Sequence, residues 1–535
     1  MRLTGSWPDG LEATFHAYED ALARDDTAAL DDLFEPGPDT LRGDAAGLLR
    51  GHDRISAFRS ARGGVARRDL VGIDVQVLAP DAVLVVGESR FVDGGRGLQT
   101  QLWRRSAGRW RIRTAHVTGR AAAFDRSVWR IVGDPLVHGA GAGPLAGVRV
   151  AVKDLFAVRG QVVGAGNPTW EAAAPVQAEH ASAVSALLDA GASVTGITRT
   201  DEFAYALAGR NAHHGAPPNG ADAGRISGGS TSGSATAVAL GQADLGLGTD
   251  TAGSIRVPAS YQGLWGLRTT HGAVSREGVL PLAQSFDTVG VLARTPGLLR
   301  SAATVLVGPS SGGAPSSDAP GGSASAGRPS LLVCEALLAA AGPATRVAFD
   351  EWLRHAGAVA DIGAVDLPDL DELAETLRIV QGAEASRNHG AWLAAHPGAL
   401  GPDVAERFAA AASITPEQEA AARDELGRLR TAVRAAVGRG VLCLPTVPGP
   451  APLRTADGPD VLATRRATLR MTAPAGVGGL PAVSAPLLDV EGAPVGIGFL
   501  GPPGSDPALV DVATALAAST SKQRTADSGR ERYGR

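Results

Sequence analysis

Arg225-Ile-Ser-Gly-Gly-Ser-Thr-Ser-Gly-Ser-Ala235, with Gly246-Leu-Gly-Thr-Asp-Thr-Ala-Gly-Ser-Ile-Arg-Val-Pro-Ala259 behind it, is the most informative stretch of this chain. A Gly/Ser run has three readings: a flexible linker, a loop that cradles phosphate, or a platform presenting backbone N–H groups to a reacting oxygen. The linker reading fails because the run passes directly into Ala235–Leu240, a helical stretch, and then into Asp244–Gly248, a short buried segment. A Walker-type phosphate loop requires GxxxxGK[ST], and no lysine stands here. What remains is small residues that permit close backbone approach, with hydroxyls between them.

Upstream, a second feature bears on chemistry. Of the 50 lysines and arginines, only Lys153 and Lys522 are lysine. Lys522 sits in a polar C-terminal tail. Lys153 lies in Val148-Arg-Val-Ala-Val-Lys-Asp-Leu-Phe156, an apolar run that reads as a buried strand end. Arginine keeps its proton at every accessible pH, whereas a buried lysine can become neutral and act as a base. In so Arg-rich a chain, chance explains a lone core lysine equally well, so by itself the position assigns no role.

The chain has 535 residues, which is long for one domain. A hydrophobic content of 44% with 20% charged residues describes a globular protein with ample core. The net charge of −5 leaves no electrostatic footprint for nucleic acid or an anionic membrane. Two cysteines, Cys334 and Cys443, make no disulfide framework and fit a reducing cytoplasm. The N-terminus carries no apolar leader, and no run is long enough to span a bilayer, so a cytoplasmic location is expected.

Residues 1–120 read as a compact α+β unit. Leu11, Phe15, Tyr18, Leu22, Leu30 and Leu33 recur at helical spacing, and Ile55–Phe58 begins another short helix. Four strand-like runs follow, Leu70–Leu78, Ala82–Val92, Leu98–Arg105 and Trp110–Thr118, separated by turn signals. Residues 121–145 are Ala/Gly/Pro-rich and read as a linker. From about residue 146 to 518, apolar strands alternate with Ala-rich helices, the pattern of an α/β core. The low-complexity stretch Pro309–Pro329 reads as a mobile surface loop, and residues 519–535 as a disordered tail.

Taken together, Val152-Lys-Asp-Leu-Phe156, Gly228-Gly-Ser-Thr-Ser-Gly233 and Gly248-Thr-Asp-Thr-Ala-Gly-Ser-Ile-Arg256 resemble the amidase signature family. Val257-Pro-Ala-Ser-Tyr-Gln-Gly263, Ser285-Phe-Asp-Thr-Val-Gly290, Gly479-Leu-Pro-Ala-Val-Ser484 and Pro494-Val-Gly-Ile497 extend the likeness over roughly residues 126–518. The resemblance implies a mixed central sheet flanked by helices and an amidase acting on linear amides. It places the family's Ser–cis-Ser–Lys triad on Ser254, Ser230 and Lys153. Ser254 would attack the amide carbonyl, and Ser230, preceded by a cis peptide, would relay its proton to a neutral Lys153. The N–H groups of Thr251, Ala252, Gly253 and Ser254 would form the oxyanion hole. Thr231 stands where the family usually has serine, and Ala252 where glycine is common; neither change removes a triad member. No cofactor and no metal is implied.

Other residues carry weaker expectations. Asp250, Arg256 and Asp287 read as braces of the nucleophile loop. His213 and His214 lack a third ligand at zinc spacing and read as loop packing. Arg387, His389 and Trp392 are candidates for the acyl pocket, an exposed helical face being the alternative.

The N-terminal unit, through its element order and short stretches such as Leu41-Arg42-Gly43 and Ala115-His116-Val117, resembles the NTF2-like cone (nuclear transport factor 2-like) and the small domain found with enzymes of cyanuric acid breakdown. Tyr18, Arg42 and His116 are its candidate cavity residues, with Arg42 suited to holding a carboxylate. A catalytically silent domain that forms a homodimer is the favoured alternative.

The amidase-like body most resembles enzymes of the indole-3-acetamide type, which implies a small-molecule carboxamide cleaved to carboxylate and ammonia. The fused small domain points instead to carboxybiuret or allophanate hydrolysis. A glutamine-hydrolysing amidotransferase subunit is a further reading, against which the self-contained fusion and the lack of a basic surface argue.

Overall fold

The computed structural model describes residues 2–44, 47–62, 68–91, 96–118, 124–308, 328–456 and 458–533. These form two compact units, Met1–Asp125 and Arg126–Arg535.

In the first unit, helix Leu11–Arg24 buries Leu11, Phe15, Tyr18 and Leu22 along one stripe, as the 3.6-residue period requires. The strands Arg68–Ala79, Ala82–Phe91, Arg96–Ser106 and Arg109–Thr118 form an antiparallel meander. Its core includes Phe15, Phe34, Ile55, Val83, Val85, Trp103 and Ile112. Three further strands, Arg2–Thr4, Leu41–Asp44 and Gly47–Arg50, complete the sheet at its two edges. They are too short for a periodic signal.

The second unit is built on a mixed sheet of 11 strands among the described residues. Strand Arg149–Lys153 runs parallel to both its neighbours, Ser193–Thr198 and Leu245–Asp250. Its Val-Ala-Val core is buried on both faces, as a covered parallel strand must be. Strand Leu245–Asp250 then pairs antiparallel with Thr288–Ala293, which pairs antiparallel with Trp265–Arg268. Lys153, Thr249 and the loop after Asp250 are thereby brought to the same end of adjacent strands.

Two expectations are corrected. The 121–145 segment is no free linker: Trp129–Val137 is a strand that pairs antiparallel with Ser193–Thr198 and closes one edge of the large sheet. The polar tail continues the last helix, Asp506–Tyr533, because its Ala/Ser/Arg-rich sequence has no Pro to stop it and its two glycines, Gly529 and Gly534, come near the end. The Pro309–Pro329 stretch lies outside the described residues apart from its last two.

Candidate active site

Lys153 is the starting point. Its side chain is fully buried, and Nζ lies 2.9 Å from Ser230 Oγ, 2.8 Å from Thr249 Oγ1 and 3.2 Å from Thr231 Oγ1. Burial pushes its pKa down from 10.5 to about 7, against the opposing pull of the Asp201, Asp250 and Asp287 carboxyls. A neutral amine has two protons and one lone pair. Thr231 Oγ1 donates its own proton to the Thr249 carbonyl (3.2 Å), so it faces Lys153 as an acceptor. Thr249, quoted within the sequence motif but given no role there, is thus a direct partner of the lysine.

Ser230 follows a cis peptide with Gly229, and its carbonyl accepts from Thr200 Oγ1 (2.9 Å) and Asp201 N–H (3.2 Å). Asp201 is itself buried and its carboxyl is pushed up to about 6 by that burial, opposed by the Gly209 N–H and by Lys153. Gly248 is dictated by contact: a Cβ there would fall 2.4 Å from Thr231 Cγ2.

Ser254 lies in the loop between strand Leu245–Asp250 and helix Arg256–Tyr261. Asp250 braces that loop, accepting from Gly253 N–H (2.9 Å), Ile255 N–H (3.2 Å) and both Arg256 and Arg268. Burial opposes its ionisation, but the two guanidinium groups hold the carboxyl far below the usual range. Thr251 Oγ1 donates to Asp287 Oδ1 (2.6 Å), and Thr472 Oγ1 to the Ala252 carbonyl (2.8 Å). Thr231 N–H donates to the Ser254 carbonyl (3.2 Å), which ties the two halves of the site together.

A cavity of about 370 Å³ opens onto this loop, lined by Thr251, Ala252 and Ser254 and walled by Ile226, Tyr261 and Leu377. The expected oxyanion set is corrected at one position. Gly253 is not among the lining residues, and its N–H is committed to the Asp250 carboxylate (2.9 Å), which lies beneath the loop among Arg256 and Arg268.

The expected acyl-pocket residues are also corrected. Arg387 is exposed and pairs with Glu419. His389 is buried, with Nε2 2.8 Å from the Pro281 carbonyl, in an aromatic group of Trp170, Phe203 and Phe408. Trp392 packs on Trp170 and Phe203. None of the three lines the cavity. Helix Leu370–Ala395 instead offers it Ala374, Leu377, Arg378, Gln381 and Gly382, a stripe at helical spacing in its first half. His213 bonds Glu202 (2.7 Å), and no group of residues able to hold a metal occurs among the described residues.

In the N-terminal unit, Tyr18 is a core residue edge-on to Trp103, its hydroxyl pushed up by burial and then by Glu19. Arg42 is buried, paired with Asp44 (2.6 Å) and stacked 4.4 Å over Phe58, so its charge is already matched within the fold. His116 is exposed, contrary to expectation. The partners of Leu102 and Trp103 are Thr114 and Ile112, which makes Arg113 an extra residue. This bulge flips the alternation, so Ile112 and Ala115 point inward and His116 outward.

A fully buried lysine beside three hydroxyls, and a serine loop facing a cavity, define a hydrolytic site on a mixed α/β sheet. Residues 134–510 match the family model described as Amidase, and the chain belongs to that family and is an amide-hydrolysing enzyme. Residues 9–122 match the model described as AtzH-like. The chain is 36% identical over 400 residues to Amidase 1 of Arabidopsis thaliana, covering 70% of this chain and 93% of that protein. It is 34% identical over 387 residues to the 1-carboxybiuret hydrolase subunit AtzE of Pseudomonas sp. (strain ADP), covering 67% and 81%. A crystal structure of an amidase superposes with a TM-score of 0.65 at 30% identity, covering 75% of this chain and 93% of that one. Among the described residues no helix is long and apolar enough to cross a membrane.

Proposed function

We propose that the protein hydrolyses a small carboxamide to carboxylate and ammonia through an acyl-enzyme on Ser254, with Ser230 and Lys153 as its proton relay. Ser254 Oγ attacks the carbonyl carbon while its proton passes to Ser230, whose own proton moves to the Lys153 lone pair. The carbonyl oxygen becomes an oxyanion facing the N–H groups of Thr251, Ala252 and Ser254. Return of the proton through Ser230 to the amide nitrogen releases ammonia, and water, deprotonated by the same relay, hydrolyses the ester.

The observation that carries this reading is the Lys153–Ser230 contact of 2.9 Å at a lysine whose burial brings its pKa to about 7. The test is ammonia release from indole-3-acetamide and phenylacetamide, with biuret-type ureas alongside. Release from the carboxamides, lost in Ser254→Ala, is expected; release from the ureas alone would overturn it. The ureide reading is favoured by one observation, the similarity to a protein named as a 1-carboxybiuret hydrolase subunit.

The reading includes an NTF2-like role for residues 1–125 as the contact of a homodimer, supported by exposed Leu48, Val77 and Leu78 on that unit. Light scattering of the full chain carrying Leu48→Glu, Val77→Glu and Leu78→Glu should report a monomer. The buried, unpaired Cys334 and Cys443 suit a reducing cytoplasm.

A further inference from the structure

The cavity that reaches Ser254 carries apolar lining from Ala252, Ile226, Val257 and Ala473 beside Thr251. Its far wall is different. Arg407 and Arg465 line it there, and their surroundings are unequal. Arg407 donates to the Tyr205 carbonyl (3.0 Å). Arg465 makes no hydrogen bond and no ion pair with any described residue, and its Nε is buried without a partner. Asp403 and Glu406 stand on the same wall and attract it, yet neither forms an ion pair with it, and Arg407 repels it. Burial, followed by Arg407, pushes the Arg465 guanidinium down to about 10, whereas the cavity-facing Arg407 and the buried Arg256 each have a carbonyl or carboxylate partner. The side chain is half-buried with only Nε sealed off, so its terminal nitrogens stay available to an anion in the cavity, and a buried donor left unpaired costs stability.

The position of Arg465 gives the length of that anion's carrier. Arg465 and Thr472 share helix Gly458–Gly478, and Thr472 is bonded to the Ala252 carbonyl beside the nucleophile. Seven residues of helix separate the two by about 10 Å along the axis. A substrate with its amide at Ser254 can therefore place a second polar group against Arg465 only across a medium-length acyl chain or one ring. The wall between offers Leu469 and Leu377, with Thr468 and Gln381 beside them and no charged group on the helix between Arg465 and Thr472 other than Arg466 and Arg470, which do not line the cavity, so a largely hydrocarbon spacer fits it.

We propose that Arg465, with Arg407 beside it, is a carboxylate subsite, and that the preferred substrates are monoamides of dicarboxylic acids: an amide at one end, a hydrocarbon spacer, and a carboxylate at the other. This rests on the amidase reading above and names its substrate class. The guanidinium fork donates two parallel hydrogen bonds to a carboxylate, which a neutral isostere cannot reproduce.

The test pairs isosteres on the full-length enzyme: adipamate against hexanamide, and 4-carboxyphenylacetamide against phenylacetamide. The acidic member of each pair is expected to be preferred at least tenfold in kcat/KM, mostly through KM, and Arg465→Gln is expected to remove that preference. Adipate should raise the Tm of the wild-type protein and inhibit phenylacetamide hydrolysis competitively, and both effects should vanish in Arg465→Gln. The same variant should melt close to or above the wild-type temperature without ligand, since Arg465 makes no hydrogen bond or ion pair with a described residue that the change would break; this keeps the test free of a folding artefact. Equal kcat/KM for acidic and neutral members, or an acid preference that survives Arg465→Gln, overturns the subsite. Failure of every amide in the panel would strike the amidase reading instead, which is a different outcome.

Discussion

Replacing Lys153 by Arg keeps the charge and removes the base, and its consequences can be worked through. Burial brings the lysine from 10.5 to about 7, a preference for the neutral form of about 5 kcal/mol at 1.36 kcal/mol per pKa unit. At pH 7 about half of the Lys153 population is therefore neutral, where an ordinary lysine would be neutral in about 3 molecules per 10,000. The fold enriches the competent base roughly a thousandfold. With a base that must lose its proton, kcat/KM should climb about tenfold per pH unit below pH 7 and level off above it. The same shift acts on stability with a definite sign. Between about pH 7 and 10.5 the unfolded chain binds the proton and the folded one does not, so this group makes stability rise with pH across that window. An arginine cannot give up its proton, so Lys153→Arg should lose about 10²–10⁴ in kcat, the usual worth of a general base. The assay is ammonia release from phenylacetamide between pH 5 and 9, with circular dichroism to verify the fold. A flat profile over that range, or an active arginine variant, would refute the neutral-lysine mechanism.

Ser254→Ala should abolish turnover while leaving the melting curve close to wild type, since the loop is braced by Asp250 rather than by the serine hydroxyl. Asp250→Asn should cost about 3–5 kcal/mol in denaturant unfolding, because Arg256 and Arg268 would be left buried beside a neutral amide. Gly248→Ala should lower kcat and stability together, by about 1–3 kcal/mol in the latter, because the new methyl meets Thr231 and displaces a neighbour of Lys153; unchanged kinetics would contradict the contact. Arg387→Ala should change kcat/KM less than twofold and stability by under about 1 kcal/mol, as an exposed ion pair remote from the cavity.

Much of the site is legible in the primary structure because it is local. Small residues at 228–233 and 248–254, once their flanks exclude a linker and the missing lysine excludes a Walker loop, point to close backbone approach, and a lysine in an apolar strand end reads as buried. The helices and meander of the N-terminal unit follow from period alone. What sequence could not deliver depends on parity and packing. A single extra residue, Arg113, turned His116 out of the interior, and no pattern marks a bulge in advance. Which stretch of helix Leu370–Ala395 meets the cavity was settled by the elements docked against it, so Leu377 and Gln381 face it while His389 and Trp392 fill an aromatic core. The commitment of the Gly253 amide to Asp250 depends on how the loop lies over that carboxylate, and the seat of Thr249 against Lys153 and the lone guanidinium of Arg465 on residues far apart in the chain. Sequence by itself marked the small-residue loops and the lysine in an apolar strand, and only the family resemblance gave them proposed roles; tertiary structure decided which groups meet at Lys153 and which line the cavity, because burial and partnership are properties of the packed chain and not of any one segment.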